Sequence, residues 1–179
     1  MSNGENESNA VEYVKSKAEE DLDKLDLGFE KYEKGVGLIK MGSTDISNYL
    51  NVTAESLNKM TAEECVEGAY LLNQEALYVQ REINKYKAHM DWANARIMRA
   101  IAADIENYGG RYAKDDARRV LAVKANSAAQ ELQKIVDRAE RVIARLSYVP
   151  NHLTKLANVL LDYRFTKTEA SKTHSNRDV

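Results

Sequence analysis

The chain has 179 residues, 44% of them hydrophobic, which suits one domain with a core, and no stretch approaches the roughly 18–20 consecutive apolar residues of a membrane-spanning helix. With 8 Gly and 1 Pro there is little to punctuate turns, so long helices are expected, and the single cysteine, Cys65, excludes an intrachain disulfide. The net charge of −2 hides an asymmetry: residues 1–64 hold 7 Lys and Arg against 14 Asp and Glu, whereas residues 65–179 hold 19 against 14. An acidic segment on a basic body can bind a polyanion with one part and screen it with the other.

The polar, acidic start, residues 1–9, lacks the basic and apolar run of a secretory signal, which together with the lone cysteine leads to an expectation of a reduced, cytoplasmic protein. That start and residues 166–179 read as disordered tails, having too little apolar surface to order themselves. Val11, Val14, Ala18, Leu22 and Leu25 carry an amphipathic, charge-rich helix over residues 10–27. Gly28, Gly35, Gly37 and Gly42 then predict a loop over residues 28–44, with short helices around Ile46–Leu50 and Ala54–Leu57. Residues 1–60 thus form an acidic N-terminal arm of short helices and loops.

Thr61-Ala62-Glu63-Glu64 is a capping box, in which the Thr61 hydroxyl reaches the Glu64 amide and the Glu64 carboxylate reaches back. It predicts a helix from Ala62 that continues to Tyr108, stopped by Gly109-Gly110 and about 70 Å long at 1.5 Å per residue. Asp115 or Asp116 is the expected N-cap of a second long helix. Leu121, Ala125, Ala128, Leu132, Ile135, Ala139, Val142, Leu146, Val149, Leu153, Leu156, Leu160 and Tyr163 follow in a four-three spacing, a coiled-coil seam that keeps its phase through Pro150. So short a connection between long helices returns the chain antiparallel. The expected fold is all-α: a long antiparallel helical hairpin over residues 61–165 with a coiled-coil seam, homo-oligomeric because one hairpin leaves apolar surface wet.

No catalytic constellation is visible. His89, His152 and His174 are scattered, and no HExxH, phosphate-binding Gly loop or nucleophile elbow occurs, so the expectation is a protein without enzymatic activity, cofactor or metal. A hydrolase would need a convergent pocket that these residues do not form. The hairpin tip is richer. Tyr108, Arg111, Tyr112 and Lys114 surround its glycines, Arg118, Arg119 and Lys124 follow, and Arg96 and Arg99 approach from the first helix. Cations neutralise phosphates and tyrosines offer faces for unpaired bases, a combination suited to single strands without sequence readout. The alternative for the tip is a solvated turn whose arginines pair with Asp115 and Asp116. Lys134, Arg138, Arg141 and Arg145 form a stripe on the second helix, expected to make salt bridges through Asp137 and Glu140, and Trp92 reads as core.

The Tyr108-Gly-Gly-Arg111 turn after a long helix, followed by a second long helix that closes on Ile143-Ala-Arg-Leu-Ser-Tyr-Val-Pro-Asn-His-Leu-Thr-Lys-Leu156, resembles the UvsY family of phage recombination mediators. The resemblance covers about residues 70–165 and leaves out the acidic arm; Pro150 departs from the family pattern. It implies a ring-like homo-oligomer in the host cytoplasm that binds single-stranded DNA in bacteriophage recombination and DNA repair. It further implies partners in a RecA-class recombinase and single-strand-binding protein, with Tyr108, Arg111 and Lys114 at the DNA-facing tip. The rival expectation is a helical phage scaffold, virion component or packaging subunit that acts by self-association alone.

Overall fold

A computed structural model describes residues 3–36, 46–109 and 114–175, with side chains over residues 11–36, 46–109 and 114–167. The described chain is an all-α, multi-helix bundle: α1 (Asn3–Gly35), α2 (Ser47–Leu50), α3 (Ala54–Lys59), α4 (Ala62–Ile101), a 3-10 turn (Ile105–Asn107), α5 (Asp115–Ala125), α6 (Ser127–Leu146) and α7 (Val149–Ser175). No helix among the described residues is long and apolar enough to cross a membrane.

The chain divides into two compact units, Met1–Ile39 with Asn84–Ala144 and Lys40–Ile83 with Arg145–Val179. In the first unit Ala18 of α1 joins Ala93, Ile97 and Ile101 of α4, Ala122 and Val123 of α5, and Ala129, Leu132 and Val136 of α6. In the second, Cys65, Ala69, Leu72 and Ala76 of α4 pack on Leu153, Ala157 and Leu160 of α7, with Tyr49 and Leu57 of the short helices against them. Both cores therefore draw on each side of the boundary expected at residue 60: Ala18 is 6% exposed and packs with the helices that follow.

α1 starts at Asn3 and passes through Gly28 to Gly35, longer at both ends than residues 10–27. Charged pairs one turn apart support it, including Lys17 with Glu20 at 3.1 Å and Lys24 with Glu20 at 2.5 Å. A glycine inside a helix costs only about 1 kcal/mol, which such neighbours and packing offset. The rest of the expected loop, residues 37–44, lies outside the described residues.

The capping box at the start of α4 has the expected form: Thr61 N–H donates to Glu64 Oε2 at 2.6 Å and Glu64 N–H to Thr61 Oγ1 at 3.1 Å. α4 ends at Ile101 rather than Tyr108, and the chain tightens into the 3-10 turn that lays Ile105 and Tyr108 on the same core as Ile101. The N-cap of α5 is Lys114, without a side-chain cap, while Asp115 and Asp116 occupy the first turn, where the helix dipole favours carboxylates.

The second long helix is three helices. Asn126 leaves helical geometry, and its Oδ1 accepts Ala129 N–H at 2.9 Å as the N-cap of α6 while its Nδ2 donates to Ala100 O at 3.3 Å. α6 ends at Leu146, and Pro150 lies in the first turn of α7, where its missing N–H removes no helical bond. Along this stretch Leu132, Leu153 and Leu160 are buried as expected, Ile135, Val142, Leu146 and Leu156 are half-buried, and Leu121 is 43% exposed. Ala139 is buried as expected too, whereas at the alternate positions the buried residues are Ala129, Val136 and Ala157, each one residue on from the expected Ala128, Ile135 and Leu156. α7 continues through Ser175, so the tail expected from residue 166 is helical over most of its length.

Candidate nucleic-acid interface

The cations of interest lie in the unit built from α1, the second half of α4, α5 and α6. Residues 84–144 hold 12 Lys and Arg against 8 Asp and Glu. Arg99, at the end of α4, is exposed, as are Lys114 and Lys124 at the two ends of α5 and Arg138 and Arg141 on α6. None of these five has an ion-pair partner among the described residues. The salt bridges expected of the α6 stripe through Asp137 and Glu140 do not form among the described residues; Lys134 pairs instead with Glu131 of its own helix at 2.5 Å. Arg145, in the last turn of α6, is also exposed.

Other residues expected at the tip have structural duties. Arg119 donates to Asn94 Oδ1 at 2.6 Å and so ties α5 to α4. Arg118 is half-buried, and its Nε has no hydrogen-bond partner among the described residues. Tyr108 packs against the core, which removes most of its ring from a ligand, and Gly109 takes a φ of 75°, the left-handed conformation that glycine adopts without strain. Arg111 and Tyr112 lie outside the described residues.

The acidic helix α1 is held to α4 by ion pairs. Asp26 accepts from Lys85 Nζ at 2.7 Å and from His89 Nε2 at 2.6 Å. Burial works against the Asp26 carboxylate, but the hydrogen bonds from Lys85 and His89 and their charges outweigh it and hold the carboxyl below its ordinary range. These groups border a cleft of about 460 Å³ between α1, α4 and α6, whose apolar wall includes Leu22, Leu132 and Ile135. Five residues earlier on α1, Asp21 accepts from Arg96 of α4, and the Arg96 guanidinium lies over the Trp92 ring, 4.5 Å from its centroid. Trp92 is thus partly core and partly surface: it packs against the buried cluster and presents a face to a cation.

Sequence reasoning missed Lys17 and Asp21 as neighbours of Arg96, since nothing in the spacing of α1 reveals where it docks. The charge excess of residues 84–144 is readable from the sequence, but which cations remain unpaired is not. Among the described residues no group of three His, Cys, Asp or Glu is placed to hold a metal, and Cys65 is buried, its thiol pushed up by burial.

Compared with family models, curated proteins and solved structures, the chain matches none of them.

Proposed function

We propose that this protein is a non-enzymatic single-stranded-DNA-binding accessory factor of the recombination-mediator type, which helps a RecA-class recombinase replace single-strand-binding protein. The observation that carries this reading is the set of five exposed cations without ion-pair partners among the described residues, spread over α4, α5 and α6 of one unit. A cation that is neither buried nor paired has its charge available to a phosphate, and the binding gains from released counterions. Aromatic side chains in the same unit, Trp92 and the exposed Tyr13, add faces on which unpaired bases stack.

In this reading α4 and the helices after it form a coiled-coil hairpin, and copies associate so that several weak DNA contacts act together. Val66, Tyr70 and Leu77, exposed on α4 of the other unit at spacings that share a face, supply apolar surface for that association. The same face favours the second reading, a helical phage assembly protein that works by self-association alone.

Binding of an end-labelled oligothymidylate, followed by anisotropy at low salt, separates the two. The parent is expected to bind, and the combined variant Lys124→Ala, Arg138→Ala and Arg141→Ala to bind about tenfold more weakly, as lost phosphate contacts require, with unchanged oligomeric mass. Absence of binding by the parent, or equal binding by an intact triple variant, would overturn the single-strand reading.

A further inference from the structure

A groove of about 230 Å³ runs between α1 and the last turns of α4, with Tyr13, Lys17 and Asp21 on one side and Trp92, Arg96 and Arg99 on the other. All of it belongs to one compact unit. The volume is below the roughly 300–1,000 Å³ of sites for drug-sized ligands, so it suits a single ring system. Two cations from different helices converge on one carboxylate: Asp21 is 3.3 Å from Lys17 Nζ and also accepts from Arg96. An anion between two cations, beside an indole face, is the arrangement that a phosphate and its neighbouring base require.

Resting on the single-strand reading above, we propose that this groove takes one unpaired nucleotide, its phosphate replacing the Asp21 carboxylate between Lys17 and Arg96 and its base lying against Trp92. Arg96 covers the indole while it pairs with Asp21 and moves off the face to follow the phosphate. Arg99, exposed and without an ion-pair partner among the described residues, adds charge at the rim for the next phosphate. Tyr13, 70% exposed, offers a second aromatic face at the mouth. Asp21 is therefore both a part of the docking of α1 and a built-in competitor, so α1 tunes the affinity of the site that it helps to form. The Asp21 side chain keeps 14% of its surface exposed and that of Arg96 41%, so the exchange requires the incoming phosphate to compensate both Lys17 and Arg96 as the carboxylate leaves.

Trp92 is the sole tryptophan of the chain, so its emission reports this groove alone. An unlabelled oligothymidylate is titrated into the full-length parent, Asp21→Asn and Glu19→Gln, with anisotropy of the end-labelled oligomer measured in parallel. Glu19→Gln changes the net charge by the same amount on the same helix, and Glu19 does not line the groove. The expected result is quenching of Trp92 in the parent and binding tighter by about threefold to fivefold in Asp21→Asn, as removal of a competing carboxylate permits, with less gain in Glu19→Gln. Asp21→Asn exchanges a carboxylate only 14% exposed, and Glu19→Gln an exposed one, for isosteric amides, and helical circular dichroism confirms that each variant is folded. Anisotropy that reports binding while Trp92 emission stays constant and the two variants bind alike would place the nucleotide elsewhere, overturning the groove and leaving single-strand binding intact. No anisotropy change at low salt for any of the three proteins would overturn both.

Discussion

Gly68 lies inside α4 because a side chain there would have no room. A Cβ at this position would stand 2.5 Å from two ring atoms of Tyr49 and 2.9 Å from Leu160 Cδ1, so the ring of α2 docks against bare backbone. Alanine in a helix interior gains about 1 kcal/mol over glycine, but overpacking costs about 1–3 kcal/mol. Gly68→Ala is expected to lose about 1 kcal/mol in urea unfolding and to alter the near-ultraviolet signal of the tyrosines; a more stable variant would mean that Tyr49 yields freely. Local chemistry of this kind differs in how well it can be read from sequence. The capping box of Thr61 and Glu64 involves four consecutive residues and was legible in full. The pairing of Arg96 with Asp21 joins residues 75 apart, and neither local spacing nor residue type reveals it.

At the scale of elements, the four-three pattern identified the apolar face of the second helical stretch but left its phase open. At Ala128-Ala129, Ile135-Val136, Val142-Ile143 and Leu156-Ala157 two apolar residues are adjacent, so either member can be the inner one. Packing against α1 and α4 makes Ala129 and Val136 the buried members in one core, and packing against the first half of α4 makes Ala157 the buried member in the other; the two alanines let the helices approach closely. The breaks at Asn126 and at Ser147-Tyr148 were also hidden, since neither contains glycine and the one proline follows the second break. A paired substitution tests this arrangement. Leu132, 5% exposed within the core, is expected on replacement by Asp to lose about 4 kcal/mol or more, while Leu121→Asp, at a position 43% exposed, is expected to lose about 1 kcal/mol or less. Thermal melts of the two variants that coincide would place Leu121 in the seam and contradict the shifted phase.

Across the whole molecule, charge is divided by segment: α1 holds 10 Asp and Glu against 5 Lys, and the stretch from residue 84 to residue 144 is basic. The structure brings these two segments into one unit, held by Asp21 and Asp26, while leaving Arg99, Lys114, Lys124, Arg138 and Arg141 outside those pairs. The sequence revealed the opposition of charge and the helical class. It did not reveal that the acidic segment docks as a long helix, because the apolar residues of α1 are few and its attachment depends on pairs distant in sequence. The central claim is that the unpaired cations meet phosphates, and the salt dependence of oligothymidylate binding tests it most directly. Engagement of three or more phosphates predicts that log affinity falls linearly with log salt at a slope of about −2 or steeper, at about −0.7 per contact. A slope near zero, or no binding at low salt, would contradict it.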